Sequence, residues 1–249
     1  MRAIIPAAGK GTRLNEFNSD IPKAMHTLCG KPILDIVLEN TSFISPQDSY
    51  IVVGYKKEKI IGHISGDYRF VEQKEQRGTG HAVMMCEEEF RDYDGTVLIA
   101  FGDMPMFRYE SMKAMCEYHE NCDAKCTLMT ANNPELTDWA RIIRDENGNF
   151  VSIKEGSDCV GEEKKVKELF AGVLVFDSKA LFSVLPELKT DNAQGEYYLT
   201  EVPEIMVKKG LKVETFPTDC PDDLFGVNTK EDIAKCEEIL KKRQEAHQR

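Results

Sequence analysis

The chain has 249 residues, 41% hydrophobic and 30% charged, which suffices for a sizeable core and is ordinary for a soluble enzyme. A formal net charge of −11, with no basic stripe to offset it, argues against a general nucleic-acid binder. No run approaches the ~20 apolar residues that span a bilayer. No basic segment with a signal-like apolar stretch stands at the N-terminus, so the cytoplasm is the expected location.

The first predicted element is a strand, Arg2–Ile5, running into Ala7-Ala8-Gly9-Lys10-Gly11-Thr12-Arg13, with Pro22-Lys23 close behind. A strand, a glycine-rich turn with an arginine, and a lysine just beyond suit a triphosphate. Glycines let backbone N–H groups converge on phosphate oxygens, and a helix expected to start near Arg13 would add its positive end. Arg13 and Lys23 would supply cations for charge that moves in phosphoryl or nucleotidyl transfer. Two commoner loops do not fit. The Gly-Lys pairs at Gly9-Lys10 and Gly30-Lys31 are followed by Gly11 and Pro32, not by Ser or Thr. Leu14 stands where a dinucleotide fingerprint needs a small residue, which disfavours an oxidoreductase.

Helices are predicted over Pro32–Glu39, Lys57–Ile64, Thr79–Glu89 and Ser111–Glu120. They alternate with strands at Ser49–Val53, Val97–Phe101 and Cys126–Met129. This alternation predicts an α/β fold with a mostly parallel sheet and ligands above the carboxyl ends of its strands. Before Thr79 lies a polar, glycine-bearing turn, Glu72 to Gly78. The Gln73 amide there can read a pyrimidine edge, and Gly78 would let backbone groups approach the base. After Val97–Ala100 comes Phe101-Gly102-Asp103, a carboxylate at a strand end, placed to hold Mg²⁺ beside a phosphate. The eight cysteines are scattered, so reduced thiols are expected. Cys116, His119, Cys122 and Cys126 superficially suggest zinc, but their spacing matches no usual ligand pattern.

The second half changes character. Ala140–Arg144, Phe150–Lys154 and Ala171–Phe176 read as strands, the first two joined by the hairpin signal Asn147-Gly148. A mixed-sheet extension covering a second substrate is expected here, with Ser157–Lys167 a polar, mobile loop. Gly226-Val227-Asn228-Thr229 offers a second oxygen ligand through Asn228, or a helix cap. Lys230–Arg249 is helical, with Ile233, Cys236, Ile239 and Leu240 on one face.

In series, six segments resemble the sugar-1-phosphate nucleotidyltransferases. They are Ala7–Arg13, Pro22–Pro32, Gln76–Ala82, Gly102–Pro105, Asn192–Thr200 and Gly226–Asn228. The stretch around His26 and Asn192-Ala-Gln-Gly-Glu-Tyr-Tyr198 is most similar to the uridylyltransferase domain of N-acetylglucosamine-1-phosphate uridylyltransferase. The resemblance implies a Rossmann-like mixed, mostly parallel sheet with flanking helices and a small sugar-side β subdomain. The whole chain, 1–249, would form one nucleotidyltransferase domain. Residues 1–135 would mainly bind nucleotide, 136–229 the sugar, and 230–249 would form a C-terminal helix. Arg13 and Lys23 would contact phosphates, with Ala8, Gly9 and Gly11 near the nucleotide. Gln73, Gly78 and Thr79 would recognise uracil, and Asp103 and Asn228 would hold Mg²⁺. Glu155 and Asn192 to Tyr198 would lie along the sugar. The partners implied are a nucleoside triphosphate, most of all UTP, and a sugar-1-phosphate, with no nucleic acid and no membrane; the oligomeric state stays open.

Two departures bear on the sugar. Ala140 replaces a family glycine whose backbone meets the sugar, and Phe170 stands where a family Asn would bond it. An aromatic ring cannot replace that polar partner, unless the alignment slips and Phe170 belongs to the core. Another acceptor therefore stays open, including a phosphorylated alcohol for a cytidylyltransferase, as does a silent regulatory homologue. No hexapeptide repeat of a β-helical acetyltransferase is visible, so acetyl transfer is not expected.

Overall fold

The computed structural model describes residues 1–11, 14, 20–133, 136 and 139–247. Its strands are β1 (Arg2–Pro6), β2 (Thr27–Leu28), β3 (Lys31–Pro32), β4 (Ser49–Val53), β5 (Arg69–Glu72), β6 (Thr96–Ala100), β7 (Cys126–Asn132), β8 (Arg141–Arg144), β9 (Phe150–Lys154), β10 (Glu168–Asp177) and β11 (Val213–Pro217). Nine of these described strands form one sheet, in the order β11-β7-β10-β6-β1-β4-β5, with β8 and β9 joined through β10. β2 and β3 make a separate small ribbon.

Parallel pairing joins β1 to β4, β1 to β6, β4 to β5 and β11 to β7, whereas β10 runs antiparallel to β6 and β7. This is the mixed, mostly parallel sheet expected. Strand alternation sends side chains to opposite faces. Ile4, Val97 and Ile99 pack with Val83, Phe90 and Leu181. Their neighbours Ala3, Leu98 and Ala100 meet Phe107, Met112 and Met115, and Ile5, Ile51 and Val53 meet Leu34 and Val37. Both faces are covered by helices, as a buried parallel sheet requires. Among the described residues no helix is long and apolar enough to cross a membrane.

The β8–β9 hairpin turns through Asp145 to Asn149 as expected. Gly148 has φ +82°, and Asp145 Oδ1 accepts from the N–H groups of Asn147 and Asn149. Two expectations need correction. The helix predicted over Thr79–Glu89 is two, Thr79–Met84 and Glu87–Phe90. It breaks where the Cys86 N–H bonds the carbonyl of Val83, three residues back, so the turn tightens. The segment Ser157–Lys167 contains two short helical turns, Gly156–Asp158 and Gly161–Lys165. The edge strands β5 and β11 escaped prediction, and so did the helices Ser178–Val184 and Val202–Lys208.

The C-terminal helix Lys230–His247 is fastened by a buried charge. Asp223, fully buried, accepts from Arg108 Nε (3.1 Å), Arg243 Nη2 (3.1 Å), Ser111 Oγ (3.0 Å) and Thr218 Oγ1 (2.8 Å). Arg243 also donates to the carbonyl of Met106 at 2.6 Å. With every oxygen served, the carboxylate's desolvation is offset; removing it leaves two guanidinium groups facing each other. Asp223→Ala is expected to lower the unfolding free energy by about 3–5 kcal/mol, read as a lower midpoint in chemical denaturation. Lys242→Ala, which breaks only an exposed pair with Glu238, is expected to move that midpoint by about 0.5 kcal/mol or less.

Candidate active site

Parallel strands that start together also end together, so the loops after β1, β4, β5 and β6 share one edge of the sheet. They carry Ala7 to Gly11, Gly54, Gln73 to Gly78, and Gly102-Asp103. The Gly102 N–H donates to the Pro6 carbonyl, and the Tyr55 N–H to that of Ala8, which stitches three of these loops side by side. Close approach is enforced at Gly54, where a Cβ would lie 2.9 Å from both Ala8 Cβ and the Gln73 carbonyl oxygen.

At this edge Lys23 reaches across the chain. Its ammonium donates to the Asp103 carboxylate and, at 2.8 Å, to the amide oxygen of Asn228. Gly11 makes room for the lysine stem: it has φ +63°, and a Cβ there would sit 2.8 Å from Lys23 Cβ. Asn228 is itself held in place. Its backbone N–H and that of Thr229 both donate to Asp232 Oδ2, while Thr229 Oγ1 accepts from the Asp232 N–H at 3.2 Å. Thr229 therefore caps the last helix, and Asn228 is free to turn its side chain inward. A carboxylate and an amide oxygen thus converge on one cation. These are the oxygen donors that a hard divalent ion takes, and the ammonium marks where it would fit. Arg13 lies outside the described residues.

The base-side candidates also meet. Gln73, 3% exposed, donates from Nε2 to the Gly78 carbonyl at 3.0 Å. Gly78 has φ +108°, and a Cβ there would lie 2.5 Å from the Tyr197 carbonyl oxygen, so no larger residue fits. Thr79 uses its hydroxyl to accept from the Leu199 N–H at 3.0 Å. It anchors the Tyr197–Leu199 segment against this turn.

The acceptor-side candidates lie around β9 and β10. Glu155 accepts from Thr200 Oγ1 at 2.8 Å. Asn192 bridges to the Glu196 carbonyl and to Glu201. Ala140 and Phe170 are both buried, and the Phe170 N–H donates to the Ala140 carbonyl at 2.9 Å. They share an apolar cluster with Ile142, Phe150 and Ile153. Sequence reasoning missed Thr200 as the partner of Glu155 and Asp232 as the clamp on Asn228. The second was signalled by the Thr229-Lys-Glu-Asp232 capping pattern.

A family profile described as the MobA-like NTP transferase domain matches residues 3–202. The chain belongs to this family. The bifunctional protein GlmU of Streptococcus equi subsp. zooepidemicus is 42% identical over 241 residues, covering 97% of this chain and 52% of that protein. GlmU of Lactococcus lactis subsp. lactis is 39% identical over the same shares. The chain therefore spans about half the length of the curated relatives it matches. A solved UDP-glucose pyrophosphorylase complexed with UDP-glucose has the same fold, with a TM-score of 0.76 over 97% of this chain and 98% of that one, at 17% identity. The expected resemblance to the sugar-1-phosphate nucleotidyltransferases is met.

Burial pushes the carboxyls of Glu155, Glu196 and Glu201 up from their ordinary value. A carboxyl that holds its proton more firmly when folded takes up protons on folding between its unfolded and folded pKa. Stability then falls as pH rises through that window. Glu155→Gln keeps an acceptor for Thr200 and removes the half-buried charge. It is expected to flatten the fall in stability above about pH 4.5 and to raise the melting temperature at pH 8, measured by thermal denaturation across pH.

Proposed function

We propose that the chain transfers a uridylyl group from UTP to a sugar-1-phosphate, N-acetylglucosamine-1-phosphate or a related sugar, in the cytoplasm and with Mg²⁺. An oxygen of the sugar phosphate attacks the α-phosphorus in line. The α–β anhydride bond breaks, pyrophosphate leaves with its electron pair, and a UDP-sugar forms. The observation that carries this reading is the Lys23 ammonium held between Asp103 and Asn228 at the carboxyl edge of the sheet. Bound there, Mg²⁺ would neutralise phosphate charge as a Lewis acid. Lys23 would then leave the two oxygens to the metal and, with Arg13, would supply cations to the phosphates. Catalysis is then alignment plus charge stabilisation, with no covalent enzyme intermediate.

Residues 1–135 carry the nucleotide in this reading, with Ala8, Gly9 and Gly11 beside the phosphates and Gln73, Gly78 and Thr79 at the base. Among the described residues a Cβ at Gly9 would meet nothing within 4 Å, and in this reading the glycine leaves its backbone open to a phosphate. Glu155 and the segment from Asn192 to Tyr198 orient the acceptor, and Ala140 and Phe170 form its apolar wall.

The test is pyrophosphate release with Mg²⁺, each nucleoside triphosphate, and a panel of sugar-1-phosphates and phosphorylated alcohols. UTP with one sugar-1-phosphate is the expected pair; silence across the panel with nucleotide bound overturns the reading. Asp103→Asn is expected to abolish Mg²⁺-dependent turnover and to weaken Mn²⁺ binding measured by calorimetry. Lys23→Met should lower kcat by about 10²–10³-fold while leaving the two oxygens open to the metal. Near-wild-type turnover in either variant removes that residue from the machinery. Phe170→Asn is expected to improve use of N-acetylated sugars relative to the wild type, and an unchanged substrate ranking places Phe170 in the core alone.

A further inference from the structure

Behind Gln73 stands a hydrogen-bond relay that decides what the amide can offer a base. Gln73 Nε2 lies 3.0 Å from the Gly78 carbonyl oxygen and 3.0 Å from His81 Nδ1. A backbone carbonyl can only accept, so the NH₂ end of the amide must face Gly78; the flipped amide would set two oxygens against each other. With NH₂ in that place, His81 Nδ1 must be the lone-pair nitrogen and Nε2 must carry the ring proton. Both protons of the Gln73 NH₂ are then used. What remains is Oε1, an acceptor and nothing else.

The imidazole is held for this task. It stacks against Tyr197 with centroids 6.2 Å apart and planes at 26°. Tyr197 is gripped in turn: the Arg77 guanidinium lies 5.1 Å from its ring centroid, its N–H donates to the Arg77 carbonyl at 2.9 Å, and its own carbonyl accepts from the Gly80 N–H at 2.8 Å. A fixed acceptor pairs with the N3–H of uracil or thymine. The N3 of cytosine is itself an acceptor and would meet Oε1 lone pair to lone pair. We propose that His81 is a positioning residue that locks Gln73 as an acceptor and thereby selects uracil over cytosine. This rests on the reading of the site as one for a pyrimidine nucleoside triphosphate.

The relay works only while the ring is neutral. Besides the Tyr197 ring, the charged groups facing it among the described residues are Arg77 and Glu75, the latter through its side chain and its backbone carbonyl. Burial first and then Arg77 hold the imidazole below its usual pKa, with Glu75 opposing. The neutral ring is thus kept through neutral pH. Below that folded pKa, a proton on Nδ1 would confront the NH₂ protons and drive the amide to turn.

The experiment compares kcat/KM for UTP and CTP in the wild type, His81→Leu and His81→Asn, with nucleotide affinities by calorimetry and folding checked by circular dichroism. Long-range ¹H–¹⁵N NMR of the nucleotide-free wild type reads the His81 tautomer. The expected result is a UTP-to-CTP ratio that falls about tenfold or more in His81→Leu. His81→Asn, whose amide oxygen takes the place of Nδ1, should restore most of it, and the wild-type ratio should decline in acid. A folded His81→Leu with the full wild-type ratio overturns the inference, and so does a His81 ring protonated on Nδ1 at neutral pH. A wild type that prefers another base overturns the uridine reading; the tautomer and the shift of the ratio in His81→Leu still decide the role of His81.

Discussion

The contact between the Lys23 ammonium and the oxygens of Asp103 and Asn228 draws together residues 80 and 205 positions apart in the chain. No local preference could bring them there. Each is delivered by a different device: Lys23 by a short helical turn after the first loop, Asp103 by the end of β6, Asn228 by the cap of the last helix. The rest of the molecule can be understood as what keeps these three devices in register. The sheet sets the first two, because β1 and β6 are parallel neighbours. The Asp223 cluster sets the third, by pinning the C-terminal helix through Arg243.

Between the second and third devices sits Met104. A Cβ at Gly172 would lie 3.0 Å from its methyl, and one at Gly226 would lie 2.2 Å from its sulfur. Both glycines leave space for one long, adaptable side chain. Gly172, with φ +78°, also falls inside the register shift of β10 between Phe170 and Leu174. The register shift of β10 is therefore the same place that admits Met104 beside Asp103. The Asp103 end of β6 and the irregular part of β10 are coupled through this packing, along with the Val227 N–H bonded to the Asp103 carbonyl.

What could be read from the sequence follows burial. The central strands β1, β4, β6 and β10 are apolar runs buried on both faces, and their ends were legible within a residue or two except at β10, whose bulge interrupts the run. The edge strands β5 and β11 keep one side open, so Arg69, Glu72 and Glu214 dilute the pattern that marks a strand. The helix Val202–Lys208 opens at Val202-Pro203, where proline suits a first turn but reads as a breaker in isolation. Among the candidate site residues, Lys23, Asp103 and Gln73 stand out in the sequence by charge or an amide edge, whereas Glu155 entered only through the family resemblance. Those that act through a partner do not stand out. Thr200 and Asp232 matter only because folding places them beside Glu155 and Asn228.

The pair Ala140 and Phe170 shows why a departure from a family pattern is best judged in three dimensions. Their backbones are bonded to each other, and both side chains enter one apolar cluster with Ile142 and Ile153. A buried asparagine at 170 would have an amide to satisfy whenever the acceptor is absent, at a cost of about 1–3 kcal/mol. Phenylalanine removes that cost and adds buried apolar area, and the methyl of Ala140 closes space a glycine would leave. In the proposed acceptor pocket the exchange trades a directional contact for packing. Discrimination among acceptors would then shift to Glu155 and the Asn192–Tyr198 segment, where a half-buried carboxyl and the amide of Asn192 are already oriented by Thr200 and Glu201.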